Sequence, residues 1–250
     1  MLKTLGAGVS LSLASSPATA DQTLDDVIEQ AREVREATGD NDKFLQYLER
    51  RGYATTSKGT TDTLYHQSNS TDGASTQQLS DSELSVSLNI IAYHINCNPD
   101  PYDIYVEYYF DWDASSGAGE PEEDLFSFAW PADAFQYAED SAETSGNVSF
   151  YSRDNALNGV SFKFDDYANL GSGGSAAGYG GCSVTKESGW SGSTTFGGKY
   201  VHTYETLEVC GFSTGFEGEM TLSYCNQGHK DEMGFTQINY SERDDEYTNC

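Results

Sequence analysis

The clearest structural signal in the chain is at residues 103–112, which read DIYVEYYFDW. Every second position is apolar, which gives one face made of Ile104, Val106, Tyr108, Phe110 and Trp112. The intervening positions give a second face made of Asp103, Tyr105, Glu107, Tyr109 and Asp111. Successive side chains of a β-strand point to opposite faces of its sheet, so a two-residue period is typical of a half-buried strand. The stretch therefore predicts a strand with a core face and an outer face.

Similar alternation, or a short apolar run between turn residues, predicts strands elsewhere. They fall at residues 85–90, 124–130, 147–152, 158–165, 198–209, 216–225 and 233–241. The Gly-rich stretch 171–181 is predicted to be one of the turn-rich segments between them. Many short strands without interleaved helices favour an antiparallel β-sandwich, which we expect to span residues 85–250.

The N-terminal part predicts three further segments. Residues 1–20 are typical of a signal peptide, since Lys3 precedes a weakly apolar stretch and residues 18–20 fit a small-x-small cleavage site. Residues 21–53 have apolar side chains at three- and four-residue spacing, which predicts a helical segment: one helix that stops at Gly39 and a second short helix capped by Asp42. Residues 54–84 are rich in Thr, Ser, Gln, Gly and Asp and predict a polar linker with room for one strand.

The charge balance restricts the environment and the partners. The chain has 40 acidic and 13 basic residues, a formal net charge of −27. Such a surface repels itself in dilute buffer, but in molar salt the screening length falls to about 3 Å. Aromatic residues make up 13% of the chain, enough material for a core, so we expect a folded, salt-adapted protein. A nucleic-acid partner is excluded because polyphosphate binding needs clustered Lys and Arg.

The acidic composition and the N-terminus together resemble uncharacterised exported proteins of haloarchaea, which carry twin-arginine signals. The arginine pair itself is absent, so we expect the true start codon to lie upstream. The resemblance implies an extracellular or cell-surface location and brings no activity with it. Residues 1–20 are too short and too rich in Gly and Ser to cross a membrane, so we expect no membrane span.

Five cysteines fit an oxidising compartment, where disulfides persist. Cys210 and Cys225 flank a Gly-rich hairpin and form the most plausible pair. Cys97 would then bond Cys182 or Cys250, and the expected leftover thiol is Cys250. The alternative is a zinc site, whose ligands would be His94, Cys97, Cys225 and His229. In an exported protein we favour the disulfides and expect no cofactor.

Residues 211–215 read GFSTG and match the Gly-x-Ser-x-Gly motif of hydrolases. That motif works as a nucleophile elbow only where a helix follows the serine. Here residues 217–224 are predicted to be a strand. We therefore interpret the motif as part of a hairpin and assign no catalytic residue.

The outer face of the 103–112 strand is the candidate ligand-binding surface. Tyrosine rings stack on sugars, and carboxylates accept hydrogen bonds from hydroxyl groups. N-glycosylation sequons begin at Asn69, Asn147 and Asn239. We therefore expect a non-enzymatic exported domain that binds a polysaccharide or a protein at or outside the cell surface. A carboxylate-dependent exported hydrolase and a secreted antagonistic or immunity protein remain alternatives.

Overall fold

The computed structural model describes most of the chain from residue 23 onward. The described ranges are 23–64, 82–93, 103–114, 123–146, 148–153, 158–165, 174–204, 209–214, 220–225, 229–232 and 236–241. The chain divides into two compact units, Met1–Tyr53 and Ala54–Cys250. The described part of the first unit is helical and that of the second is made of strands.

Two helices, α1 (Leu24–Thr38) and α2 (Asn41–Arg50), make up the described part of the first unit. A capping box fixes the start of α1: the Thr23 side chain accepts from the Asp26 backbone N–H, and the Asp26 carboxylate accepts from that of Thr23. These hydrogen bonds lower the pKa of Asp26. Gly39 ends α1 in the left-handed conformation, as predicted. Neither of these helices is long and apolar enough to cross a membrane.

The predicted cap of the second helix was wrong by two residues. Asp40, not Asp42, is the N-cap of α2, and its side chain accepts from the Asp42 backbone N–H at 2.8 Å. Asp40 has the extended backbone (φ −132°) that an N-cap requires, whereas Asp42 already lies in the first turn.

Fourteen strands are found among the described residues of the second unit. They are β1 (Ala54–Leu64), β2 (Ser82–Tyr93), β3 (Asp103–Ala114), β4 (Asp124–Ala129), β5 (Phe135–Tyr137), β6 (Glu143–Thr144), β7 (Val148–Arg153), β8 (Gly159–Phe164), β9 (Gly174–Lys186), β10 (Ser193–Tyr204), β11 (Val209–Thr214), β12 (Met220–Tyr224), β13 (His229–Glu232) and β14 (Thr236–Ser241). Sheet A has the order β1-β2-β3-β9-β5, and β6 also pairs with β9. Sheet B has the order β13-β10-β4-β8-β7, and β14 also pairs with β10. The described pairings are antiparallel, and β11 with β12 forms a separate hairpin.

The two sheets pack face to face around one aromatic-rich core, so the predicted antiparallel β-sandwich with a short N-terminal helical segment is confirmed. The even-numbered residues of β3, from Ile104 to Trp112, all lie in that core. Tyr108 of sheet A stacks on Phe126 of sheet B with ring centroids 5.5 Å apart. Phe110 contacts the Phe164 ring of sheet B at 4.6 Å.

The structure locates one predicted strand and corrects another segment. The strand for which the 54–84 segment had room is the edge strand β1, which pairs with β2 along its whole length. The stretch 171–181, predicted to be turn-rich, contributes residues 174–181 to β9, a central strand of sheet A.

The glycines of β9 explain that error, because they make room for aromatic rings rather than for turns. A Cβ on Gly178 would lie 2.6 Å from Phe110, and one on Gly180 would lie 2.6 Å from Phe162.

Candidate functional site

The predicted ligand face on β3 is not an open platform at its centre. Tyr105, Glu107 and Tyr109 share the outer face but are 1%, 0% and 8% exposed. The Tyr105 ring lies across Gly181, where a Cβ would come within 2.0 Å of its hydroxyl, and that hydroxyl donates to Glu143 at 3.2 Å. The remaining two members of the set are Asp111, which is half-buried, and Asp103, whose side chain lies outside the description. Ligand binding by these five residues therefore remains a prediction.

The cysteines depart from the expected arrangement at one position. Cys182 is a free thiol with no exposed surface, and burial raises its pKa well above the usual range. The alternative Cys97–Cys182 bond is therefore wrong, because the Cys182 side chain points into the core from β9. Cys225 is disulfide-bonded. Its partner lies outside the described side chains, so the pairing with Cys210 stays a prediction.

Of the four residues predicted as alternative zinc ligands, the structure tests only Cys225. A disulfide-bonded Cys225 offers no thiolate to a metal. His94 and Cys97 lie outside the described residues, and of His229 the structure describes the backbone in β13 but not the side chain. Among the side chains that are described, no cluster of three or more His, Cys, Asp or Glu residues is arranged to hold a metal.

The described part of the Gly-x-Ser-x-Gly motif lies in the β11–β12 hairpin, as the sequence interpretation expects. Ser213 is in β11, directly opposite Thr221 of β12 in an antiparallel pair. A nucleophile elbow needs a helix at this point, so the motif has no catalytic geometry.

One of the three sequons is described. Asn239 lies on β14 with its side chain exposed, and its amide oxygen accepts a hydrogen bond from the Thr195 hydroxyl at 3.1 Å. Asn69 and Asn147 lie outside the described residues. Glycosylation at all three sites remains a prediction.

A buried polar network ties β4 to β10 at one end of sheet B. The Asp124 carboxylate accepts from the Tyr200 hydroxyl at 2.6 Å and from the Thr203 backbone N–H at 2.9 Å. His202 Nδ1 lies 2.9 Å from an Asp124 oxygen, with side-chain exposures of 5% and 0% for the two residues. The His202 ring also meets the Trp112 ring edge-on at 5.0 Å. An aspartate–histidine pair can move protons, but this pair is enclosed in the sandwich, so we assign it a structural role.

An exposed aromatic group lies instead where the last strands of the two sheets meet. We call Tyr137, Glu139, Phe150, Tyr151 and Arg153 the aromatic rim. Phe150 of β7 stacks on Tyr137 of β5, with centroids 6.3 Å apart and planes at 9°. Phe150 is 41% exposed, and among the described residues it is the one large hydrophobic side chain that is exposed. It stays open because β7 ends sheet B and β5, only three residues long, covers little of it.

A β-bulge shapes this part of β7. Phe150 is opposite Phe162 and Ser152 is opposite Ser161, so Tyr151 is the extra residue. The Phe162 ring meets Phe150 edge-on at 5.7 Å and supports it from the core side. Lys163 lies 4.7 Å from the Tyr151 ring centroid. The bulge therefore places two consecutive aromatic residues at the end of the sheet.

An exposed ion pair borders the rings. Arg153 pairs with Glu139, with side-chain exposures of 40% and 58%, and its guanidinium lies 5.9 Å from the Tyr137 ring centroid. Glu139 is held by a tight turn in which Asp140 has φ of 60° and the Ser141 backbone N–H donates to the Ala138 carbonyl. The pair gives the rim both hydrogen-bond donors and acceptors beside an apolar ring. That combination can bind a hydroxyl-rich, partly apolar ligand.

Sequence reasoning missed these groups for different reasons. Alternation in residues 147–152 predicts a strand, but it cannot reveal that Phe150 is left exposed by the strands that the structure describes. Asp124 and His202 are 78 residues apart and meet only through the β4–β10 pairing. A lone histidine among apolar residues gives no signal of its partner.

No protein-family model matches the chain, and no curated protein matches it. Among solved structures it is similar to the pilus backbone of Streptococcus pneumoniae, with a TM-score of 0.33 and 8% identity over 56% of this chain and 69% of that one. A cohesin from Pseudobacteroides cellulosolvens has a TM-score of 0.26 and 13% identity over 47% and 74% of the two chains. The collagen adhesin of S. aureus has a TM-score of 0.27 and 6% identity over 75% and 81%. Scores of this size do not indicate a shared function.

Proposed function

We propose that this chain is an exported, salt-adapted, non-catalytic β-sandwich protein that binds a polysaccharide outside the cytoplasm through the aromatic rim. The observation that carries the proposal is the exposed Phe150 ring, bordered by the Arg153–Glu139 ion pair. The apolar face of a sugar ring stacks on an aromatic side chain, while its hydroxyl groups bond to flanking charged groups. The exposed ion pair is worth at most about 1 kcal/mol, so a ligand can reorganise it at little cost.

A polysaccharide fits this surface better than a protein does. Stable protein interfaces bury about 1,200–2,000 Å² and depend on a cluster of large apolar or aromatic anchors. The described part of the chain exposes a single such ring, Phe150. One ring with polar neighbours is sufficient to hold one sugar unit.

Salt adaptation is supported by like charges placed together on sheet A. Glu83 of β2 is directly opposite Asp113 of β3, and both are exposed. Burial and the nearby Asp113 carboxylate raise the pKa of Asp111. Like charges that face each other across strands are destabilising in dilute buffer and are screened in molar salt. This arrangement, the signal-like N-terminus and the cysteine content together favour an exported protein that works in brine.

Binding to insoluble polysaccharides in 3 M KCl tests the proposal. The Phe150→Leu variant keeps an apolar side chain but loses the ring, and we expect affinity to fall about two- to tenfold. The Phe150→Tyr variant keeps the ring and is the matched control, with binding retained. Thermal melting of both variants checks that the fold is intact. Equal binding by wild type and Phe150→Leu would refute the rim as the binding site, and release of soluble sugars would indicate a hydrolase instead.

A further inference from the structure

Strand β1 forms one edge of sheet A and is unusually regular. It pairs with β2 without interruption from Ala54↔Ala92 to Leu64↔Ser82. Among the described strands, none pairs with its other side. Residues 57–61 are exposed at this edge. An edge strand of this kind presents a row of backbone N–H and C=O groups that can pair with another chain.

The edge is held in a fixed conformation. The Ser57 hydroxyl donates to Asn89 at 2.6 Å, and the Thr61 and Ser85 hydroxyls lie 2.8 Å apart. Gly59 lies close against Ser87, where a Cβ would come within 2.9 Å of the serine hydroxyl. The strand contains five threonines, no proline and no bulge. These features favour strand pairing, because β-branched residues fit sheets, whereas prolines and bulges are the usual protection of an edge.

Lys58 lies in the middle of this edge, and a lysine there ordinarily disfavours pairing with a second chain. Residues that lie opposite each other in an antiparallel pair point to the same face of the sheet, whereas neighbouring residues of one strand point to opposite faces. The two-fold axis of a symmetric β1–β1 pair must therefore pass between two copies of the same residue, and not between two neighbouring residues. Centring on Lys58 brings two lysines together, and centring on Gly59 leaves Lys58 opposite Thr60. Centring on Thr60 places Lys58 opposite the partner's Asp62. The two charges therefore select one register instead of forbidding pairing.

We infer that a second copy of this chain pairs antiparallel with β1 in the register centred on Thr60. The arrangement is two-fold symmetric, so each Lys58 lies opposite the partner's Asp62, and the two copies of sheet A become one continuous sheet. Each copy has a net charge of −27, which opposes association in dilute buffer. At molar salt the long-range repulsion is screened within about 3 Å, and adjacent groups still interact. The dimer therefore forms in concentrated salt and dissociates in dilute buffer.

Sedimentation velocity on the full chain in 0.3 M and 3 M KCl tests this inference. We expect monomers in the low salt and dimers in the high salt. Lys58→Asp and Asp62→Lys each place like charges opposite each other at two positions, so each raises the dimer dissociation constant about tenfold or more. The double variant Lys58→Asp/Asp62→Lys restores opposite charges and restores the dimer.

Net charge alone predicts a different result for these variants. Asp62→Lys makes the chain less negative, so it would strengthen a dimer governed only by overall repulsion, whereas the inferred register predicts weakening. Glu83→Lys, at an exposed position on β2 one strand in from the edge, makes the same charge change outside the β1–β1 contact and leaves the dissociation constant within about twofold. A wild-type chain that stays monomeric in 3 M KCl overturns the inference. A dimer that survives both single variants overturns it as well.

Discussion

Gly180 provides the sharpest test of how the core is built. It lies in the middle of β9, and a Cβ there would come 2.6, 2.7 and 2.8 Å from three ring atoms of Phe162. Real Cβ contacts are not this short, so either the ring or the strand must move. Phe162 cannot move easily because it has no exposed surface and stacks between Phe126 at 5.3 Å and Phe128 at 5.8 Å. We therefore expect Gly180→Ala to destabilise the protein.

The magnitude follows from two opposing effects. Inserting a methyl group into a packed core costs about 1–3 kcal/mol. Replacing glycine by alanine returns about 0.4–1 kcal/mol by reducing the entropy of the unfolded chain. The two ranges leave a net loss between about 0 and 2.6 kcal/mol, and their midpoints give about 1.3 kcal/mol, which lowers the melting temperature by about 3–5 °C for a chain of this size. Thermal unfolding in 3 M KCl, followed by circular dichroism, measures it.

Gly211 supplies the control. It lies in β11, and no described atom is within 4 Å of a Cβ there, so Gly211→Ala keeps the entropic gain without a clash and should raise stability by about 0.4–1 kcal/mol. Combining Gly180→Ala with Phe162→Leu removes part of the ring that clashes. We expect the double variant to lose less than the sum of the two single losses. If the Gly180→Ala and Gly211→Ala variants have the same melting temperature, close packing against the Phe162 ring is not the reason that position 180 is a glycine.

Two further predictions concern carboxylates. Asp124→Ala leaves three hydrogen-bond donors around a buried site without their acceptor, including the His202 ring. The variant should therefore lose about 3–5 kcal/mol of unfolding free energy, measured by denaturant titration. A loss below about 1 kcal/mol would contradict the structural role of Asp124. Asp111→Asn should raise stability at pH 7, because burial and Asp113 raise the pKa of Asp111 in the folded state and its ionised form therefore disfavours folding. That gain should vanish below the ordinary aspartate pKa, where Asp111 is protonated in both states, and shrink in 3 M KCl as the Asp113 repulsion is screened. A gain that is constant from pH 3 to pH 7 would refute this origin.

The fold class could be predicted from β3 because its pattern is local. Polar and apolar side chains alternate over ten residues, so the inward face from Ile104 to Trp112 was identifiable without any partner strand. The stop of α1 at Gly39 could be predicted for the same reason, because a glycine after an apolar-periodic segment is a local signal. The bounds of β1 within the 54–84 segment could not be predicted because both faces of the strand are polar, and an edge strand needs little apolar content.

The candidate site could not be predicted, because it depends on where the sheets end. Phe150 occupies an inward-facing position, and in sequence it resembles Phe162, which is fully buried. What distinguishes the two residues is that none of the described strands lies beyond β7 in sheet B. The centre of the predicted β3 face is closed by contacts that the strand's own sequence does not reveal: the Tyr105 ring lies across Gly181 of β9, and its hydroxyl donates to Glu143 of β6.

The close packing of rings on glycines explains why a Gly-rich stretch forms a central strand in this protein. Gly180 of sheet A receives Phe162 of sheet B, and Gly198 of sheet B receives Tyr108 of sheet A, with 2.5 Å between that ring and a Cβ at Gly198. Each sheet therefore places an aromatic ring in a gap on the opposite sheet. A core this rich in large rings needs such gaps, because two facing side chains of full size would hold the sheets too far apart for close packing. Glycine within a strand normally weakens it or marks a close approach. In β9 the glycines allow the close approach of aromatic rings. The packing of those rings in the folded sandwich outweighs the turn propensity of the Gly-rich sequence.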